Sequence, residues 1–195
     1  MLTKKIIFLG CCLALSASAA AWASAPKEEK QTASRQQVEV QAEFGKHRLF
    51  SNRHINDYTL QIYQRFRQNG SVSLYKGLTF ERGVGYTTDD GIRRDSNAVG
   101  LGPAFMWRWQ HAFGHSKWYG AIEGKGSILA YNRAFPADGR AFGFQWAIGP
   151  RIGYQWNPHQ SLSLAYLMKH NSNGFHSHNP GYNTVGFSLA YTHQW

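Results

Sequence analysis

Val99-Gly100-Leu101-Gly102-Pro103-Ala104-Phe105-Met106-Trp107-Arg108-Trp109-Gln110 places a large apolar side chain or proline at every odd position, against Gly100, Gly102, Ala104, Arg108 and Gln110. Period two is the signature of a β-strand with one apolar and one polar face. The same alternation recurs on both sides of this stretch. Upstream, Val38, Val40, Ala42 and Phe44 oppose Glu39, Gln41 and Glu43, and Tyr58, Leu60, Ile62 and Phe66 oppose Thr59, Gln61, Arg65 and Arg67. Val72, Leu74, Leu78 and Phe80 then oppose Ser73, Tyr75, Thr79 and Glu81, with Lys76 breaking the apolar stripe. Downstream, Trp118, Ile122 and Ile128 face away from Glu123, Lys125 and Ser127. Phe142, Phe144, Trp146, Ile148, Ile152, Tyr154 and Trp156 oppose Gly143, Gln145, Gly149, Arg151 and Gln155. Leu162, Leu164, Tyr166 and Met168 make a seventh stripe, and Val185, Phe187, Leu189, Tyr191 and Trp195 an eighth.

Composition gives these eight strands their setting. The 195 residues are 43% hydrophobic and 15% aromatic but only 16% charged, a balance that excludes intrinsic disorder. Mean hydropathy is nevertheless polar, at −0.45. After the N-terminus no run is apolar for the ~18 residues that a helical membrane span needs. Alternating strands reconcile aromatic wealth with a polar average, because each apolar residue is followed by a polar one. In a soluble barrel or a lipocalin-like fold the large residues would point inward and would not alternate so regularly with Gly and Ala. Here the second face carries Gly, Ala, Ser, Gln and balanced Glu and Arg, which suits a narrow barrel filled by its own side chains with its apolar face toward lipid. The expected fold is therefore all-β, an eight-stranded antiparallel transmembrane β-barrel of the outer membrane, closed because lipid leaves no unpaired strand edge.

Loop spacing predicts the orientation. Connections at Gln68-Asn69-Gly70, Phe113 to Lys117 and Asn157 to Gln160 are short, whereas those after strands one, three, five and seven read as long. Short turns face the periplasm in such barrels, so odd strands run outward and Trp195 ends on the periplasmic side.

The N-terminus reads as an export signal. Lys4 and Lys5 precede the apolar run Ile6 to Leu15 and the small residues Ser16 to Ala21, the order of a cleaved secretory peptide. The expected organisation is a signal peptide over residues 1–25, cleaved between about Ala21 and Ala25, a periplasmic lead-in over 26–37 and a barrel over 38–195. Cys11 and Cys12 fall in the removed part, and Leu9-Gly10-Cys11 comes too early for a lipoprotein site, so the mature chain carries no thiol chemistry. Losing Lys4 and Lys5, with no acid in residues 1–25, takes the formal charge from +10 to +8.

Parity then isolates three polar residues. His170 and Ser172 continue the Leu162-to-Met168 stripe on the lipid side, and Asn183 has the parity of Val185, Phe187 and Leu189 on the next strand. Neighbouring antiparallel strands bring such residues within reach of one another. A hydroxyl, an imidazole and an amide that fixes the imidazole tautomer are the parts of an acyl-transfer site. Polar groups on a lipid-facing stripe are costly, which favours function over accident. At the outer end of strand seven they would lie where lipopolysaccharide acyl esters are found.

His170-Asn171-Ser172-Asn173-Gly174 followed by Asn179-Pro180-Gly181-Tyr182-Asn183 resembles the outer-membrane lipid A 3-O-deacylase (PagL) family, with a looser likeness from about Ala98. The resemblance implies an esterase that removes the ester-linked 3-O (R)-3-hydroxyacyl chain of lipid A, with Ser172 as nucleophile and His170 as general base. It further implies that Asn173 and Asn179, with backbone amides such as that of Gly174, hold the oxyanion. Family members carry Glu as the third catalytic group, where this chain has the neutral Asn183. An amide orients the ring without supplying charge, as in Cys-His-Asn proteases. The implied partners are lipid A and lipopolysaccharide of the outer leaflet, with the chain a monomer or homodimer and no cofactor required.

Two other functions fit the same residues less well. A phospholipase would share the catalytic groups, and a purely structural or interaction barrel would carry His170 and Ser172 by chance. His170, His176, His178 and His193 lack an acidic or Cys companion and do not make a metal site. Gly83-Val84-Gly85 is better explained by a crowded barrel interior than by a phosphate loop. Lys46, Arg48, Arg53, Arg93, Arg94, Arg133 and Arg140 are expected in external loops, as a basic collar for lipid A phosphates. Nucleic acid is excluded as a partner of an exported barrel.

Overall fold

The computed structural model describes residues 36–49, 52–173 and 180–195. Eight long strands form the barrel: β1 (Gln37–Arg48), β2 (Arg53–Asn69), β3 (Val72–Asp89), β4 (Ala98–Ala112), β5 (Trp118–Phe135), β6 (Arg140–Asn157), β7 (Gln160–Ser172) and β8 (Tyr182–Gln194). Each pairs antiparallel with the next, and β1 pairs with β8 from Gln37↔Gln194 to Arg48↔Asn183, so the sheet closes on itself. The expected signal peptide lies outside the described residues, and Gln37, taken as the last residue of the lead-in, opens β1.

The two faces divide as the alternation predicts. Leu78 and Leu101 on the outer wall are 57% and 56% exposed, whereas Glu39, Glu81 and Glu123 inside are fully buried. Exposed aliphatic and aromatic side chains around a closed sheet match a lipid-facing surface, since water would penalise so much apolar area.

The interior is not the wholly polar filling that parity suggests. An apolar cluster of Ile55, Ala98, Leu129, Tyr131, Phe135 and Tyr182 plugs one end, and Tyr63, Tyr75, Ala104 and Met106 plug the other. Inner glycines make room for these rings: a Cβ on Gly83 would stand 2.1 Å from the Phe135 ring, and one on Gly153 equally close to Tyr119. Between the plugs lies an ion-pair layer. Arg108 bridges Glu39 at 2.6 Å and Glu123 at 2.7 Å, and Arg151 holds Glu123 at 2.7 Å. Lys169 reaches Asp57 at 2.8 Å and Glu43 at 3.1 Å, and Lys125 also pairs with Glu43. Such charges persist in a dry interior because each has an opposite partner and further hydrogen bonds.

The ends of the barrel differ, though not in the way expected. Gly70–Ser71, Phe113–Lys117 and Pro158–His159 make tight turns at one end, where Trp195 N–H also donates to the Gln36 carbonyl at 3.1 Å. At the other end three of the connections are not long loops, and the one between β7 and β8 lies largely outside the described residues. β1 to β2 and β5 to β6 are joined by four residues each, and β3 extends as a hairpin with the short strand Ile92–Asp95. The strands themselves, 17 or 18 residues long in β2, β3, β5 and β6, project past the apolar band. In these extensions the outward face turns polar, as at His54 and Asn56, while the inward face keeps Ile55, Leu129 and Phe135 and backbone pairing continues. Lys46, Arg48 and Arg53, placed by the sequence in the first loop, therefore belong to β1 and β2.

Candidate active site

β7 and β8 run side by side to the hairpin end, where His170 pairs in register with Asn183 and Asn171 with Tyr182. On the other flank, β6 sets Trp146 beside His170 and Phe144 beside Ser172. Because side chains alternate along a strand, His170, Ser172 and Asn183 turn outward while Asn171, Asn173 and Tyr182 turn in. The three outward groups are half-buried and the three inward ones buried.

The decisive contact is His170 Nδ1 with Asn183 Oδ1, at 2.7 Å. An amide oxygen only accepts, so Nδ1 carries the hydrogen and Nε2 keeps its lone pair. The ring is braced by Trp146, whose centroid lies 5.7 Å away. The free Nε2 is the atom that a general base needs. Ser172 stands two residues farther along the same face, with Cα atoms about 7 Å apart, a gap that an imidazole largely spans. No hydrogen bond joins the two side chains among the described residues, and in such sites this contact often forms only with substrate present. Below the site Met168, Tyr166 and Phe187 extend the exposed apolar wall toward mid-barrel.

Asn173, expected at the oxyanion, turns its side chain into the barrel. Its side chain is buried, and Nδ2 donates to the carbonyls of Phe135 at 3.0 Å and Phe142 at 3.2 Å. The side chain thus ties the β5–β6 hairpin to the end of β7. Gly174 and Asn179 lie outside the described residues, as do His176 and His178.

The inner face holds residues that the sequence did not single out. Asn171 Nδ2 donates to the Tyr182 hydroxyl at 2.6 Å, and both Asn171 and Tyr182 donate to Glu81 on β3, at 3.2 and 3.1 Å. Inward parity was readable for Asn171 and Glu81, but their meeting across the barrel was not. His193 sits at the turn end beside Trp195, remote from His170. Of the basic collar, Arg53 is buried against Asp89 at 2.8 Å, Arg94 pairs with Asp138 at 3.2 Å, and Arg93 covers the Tyr86 ring. Lys46, Arg48, Arg133 and Arg140 are exposed.

A family model described as lipid A 3-O-deacylase (PagL) matches residues 56–192. Curated protein sequences give no match. Among solved structures the outer membrane enzyme PagL is 18% identical, with 79% of this chain and 97% of that one covered and a TM-score of 0.48. Neisserial surface protein A (NspA) is 11% identical, with coverage of 83% and 96% and a TM-score of 0.51, a likeness of fold. The Yersinia pestis outer membrane protein Ail is 10% identical, with coverage of 83% and 99% and a TM-score of 0.39.

Proposed function

The chain belongs to the lipid A 3-O-deacylase (PagL) family, and on that premise we propose that it hydrolyses the ester-linked 3-O (R)-3-hydroxyacyl chain of lipid A with Ser172 as nucleophile and His170 as general base. The family places it in the Gram-negative outer membrane as a lipid A deacylase, and the closed barrel with its apolar belt suits that location. In our reading residues 1–25 direct export and are removed, the tight turns face the periplasm, and the hairpin end faces out.

His170 Nε2 takes the Ser172 proton as Oγ attacks the ester carbonyl. Asn183 holds the Nδ1–H so that the lone pair points at the serine. The oxyanion is held by backbone N–H groups following Ser172, such as that of Gly174, with Asn179, while Asn173 fixes the local backbone rather than donating itself. Collapse of the tetrahedral intermediate expels the sugar alkoxide, which takes the proton from the imidazolium. Water, activated by the same imidazole, then releases the 3-hydroxy acid from the acyl-enzyme. No cofactor takes part in these steps. One chain assembles all three groups, so a monomer suffices and a homodimer is not required.

The observation that carries this reading is the 2.7 Å His170–Asn183 contact on the lipid-facing wall at the hairpin end. Mass spectrometry of lipid A from cells expressing wild type, Ser172→Ala or His170→Ala tests it. Loss of one 3-hydroxyacyl chain with the wild type alone is expected. Lysophospholipid with intact lipid A would instead identify a phospholipase, and no lipid change a structural barrel.

A further inference from the structure

Glu81 sits alone among the buried acids. Within the described residues every other fully or nearly buried carboxylate has a cation: Glu39 and Glu123 have Arg108, Asp57 has Lys169, and Glu43 has Lys125 and Lys169. Glu81 is wholly buried yet forms no ion pair. Its oxygens instead accept from neutral groups on four strands: the Tyr131 hydroxyl of β5 at 3.1 Å, Gln145 Nε2 of β6, Asn171 Nδ2 of β7 at 3.2 Å and the Tyr182 hydroxyl of β8 at 3.1 Å. A shell made of donors matches the ionised, acceptor-only carboxylate. The nearby Lys169 is already engaged by Asp57 and Glu43.

Burying a charge without a counter-ion is expensive, and a barrel that pairs its other interior acids has no structural need for the exception. The position of Glu81 supplies the reason. Its donors Asn171 and Tyr182 face each other on the β7–β8 ladder, one rung from the His170–Asn183 pair. Above the sheet His170 must become a cation when it takes the serine proton, and Asn183 offers it no negative charge. Below the sheet lies a carboxyl group with no cation in ion-pair contact among the described residues, the nearest, Lys169, being shared by Asp57 and Glu43.

We propose that Glu81 is a positioning residue for the hydrolysis: through Asn171 and Tyr182 it fixes the catalytic rungs of β7 and β8, and its charge stabilises the His170 imidazolium that neutral Asn183 cannot. The inference rests on the assignment of Ser172 and His170 above. Across a wall that excludes water, a single charge acts over more than one residue layer.

The test is a double-mutant cycle in the full-length folded barrel, with hydrolysis of hexa-acylated lipid A measured in mixed micelles. Glu81→Gln keeps the size of the side chain and removes its charge. It should lower kcat about tenfold with KM within about twofold, and Asn183→Glu should restore kcat in that background by several-fold more than it raises kcat in the wild type. Unchanged kcat in Glu81→Gln, or equal effects of Asn183→Glu in both backgrounds, would overturn the proposal. Heat-dependent migration in gels reports folding of each variant. Should Glu81→Gln not fold, Tyr182→Phe removes one donor only and should show a smaller loss of kcat with KM within about twofold, and full kcat there overturns the proposal. If Ser172→Ala retains activity, the underlying catalytic assignment fails instead.

Discussion

The middle and the outer end of the barrel interior use the same residue types to opposite effect. In the middle layer Glu39, Arg108, Glu123 and Arg151 close on one another with contacts of 2.6–2.7 Å, and Lys125, at 3.7 Å from Glu123, joins them to Glu43, Lys169 and Asp57 in one network. At the outer end Glu81 is met only by hydroxyls and amides, and directly above it three polar side chains face the lipid wall. Charge that closes on itself holds strands together and has nothing left for chemistry. A buried carboxyl group without an ion pair and polar groups turned toward lipid are both costly, and the proposed site at the end of β7 and β8 gives them a use.

The largest effect that should separate the two regions is loss of the nucleophile. Ser172→Ala and His170→Ala are each expected to lower lipid A deacylation by at least ~10³-fold, because groups that act as a unit fail together. The barrel should still migrate as a folded species, since neither side chain belongs to an interior ion pair. Next in size is Arg108→Met, which leaves Glu39 without a paired cation and Glu123 dependent on Arg151 and Lys125. It should destabilise the barrel by about 3–5 kcal/mol in urea titrations with lipid vesicles, while the folded fraction keeps its specific activity. If folded Arg108→Met loses activity as Ser172→Ala does, the division between a structural middle and a chemical end breaks.

Much of this division was legible in the sequence, and the omissions have physical causes. Period-two alternation located all eight strands because lipid and barrel interior impose opposite demands on alternate residues. The same logic placed His170, Ser172 and Asn183 on one wall at one end. The apolar plugs escaped notice because Met106, Leu129 and Leu167 lie on the inner face and read as breaks in the pattern rather than as packing. The projecting hairpins read as loops because past the apolar wall the outward face turns polar, as at His54 and Asn56. The inward contacts of Asn173 with the Phe135 and Phe142 carbonyls were not legible either, because they are set by the β5–β6 hairpin. Glu81 meets Asn171 across 90 residues of chain, and nothing local to either announces the contact.

A smaller effect sharpens the chemistry of the outer end. Asn183→Leu removes the acceptor for His170 Nδ1 and frees the ring to adopt the unproductive tautomer. The expected loss is roughly ten- to a hundredfold in kcat, smaller than the ~10²–10⁴-fold of a whole general base because His170 itself is kept. Asn183→Glu keeps the acceptor, adds charge and should raise kcat. Complete loss in Asn183→Glu would remove it from the catalytic set.

The smallest effect concerns the cations of the hairpin end, where paired and unpaired members can be compared directly. Arg53 is buried against Asp89, so Arg53→Gln should reduce stability and leave KM alone. Arg133 and Arg140 are exposed and have no acidic partner among the described residues. If they meet lipid A phosphates, the double change to Gln should raise KM a few-fold with kcat constant, because exposed charge contacts contribute only ~0.2–1 kcal/mol each. The increase should vanish in about 1 M salt, where the screening length falls to ~3 Å, and with a dephosphorylated substrate at any salt. A KM that rises equally for both substrates would mean that these arginines shape the hairpins rather than read the phosphates. The collar would then belong with Arg53 among the residues that build the barrel.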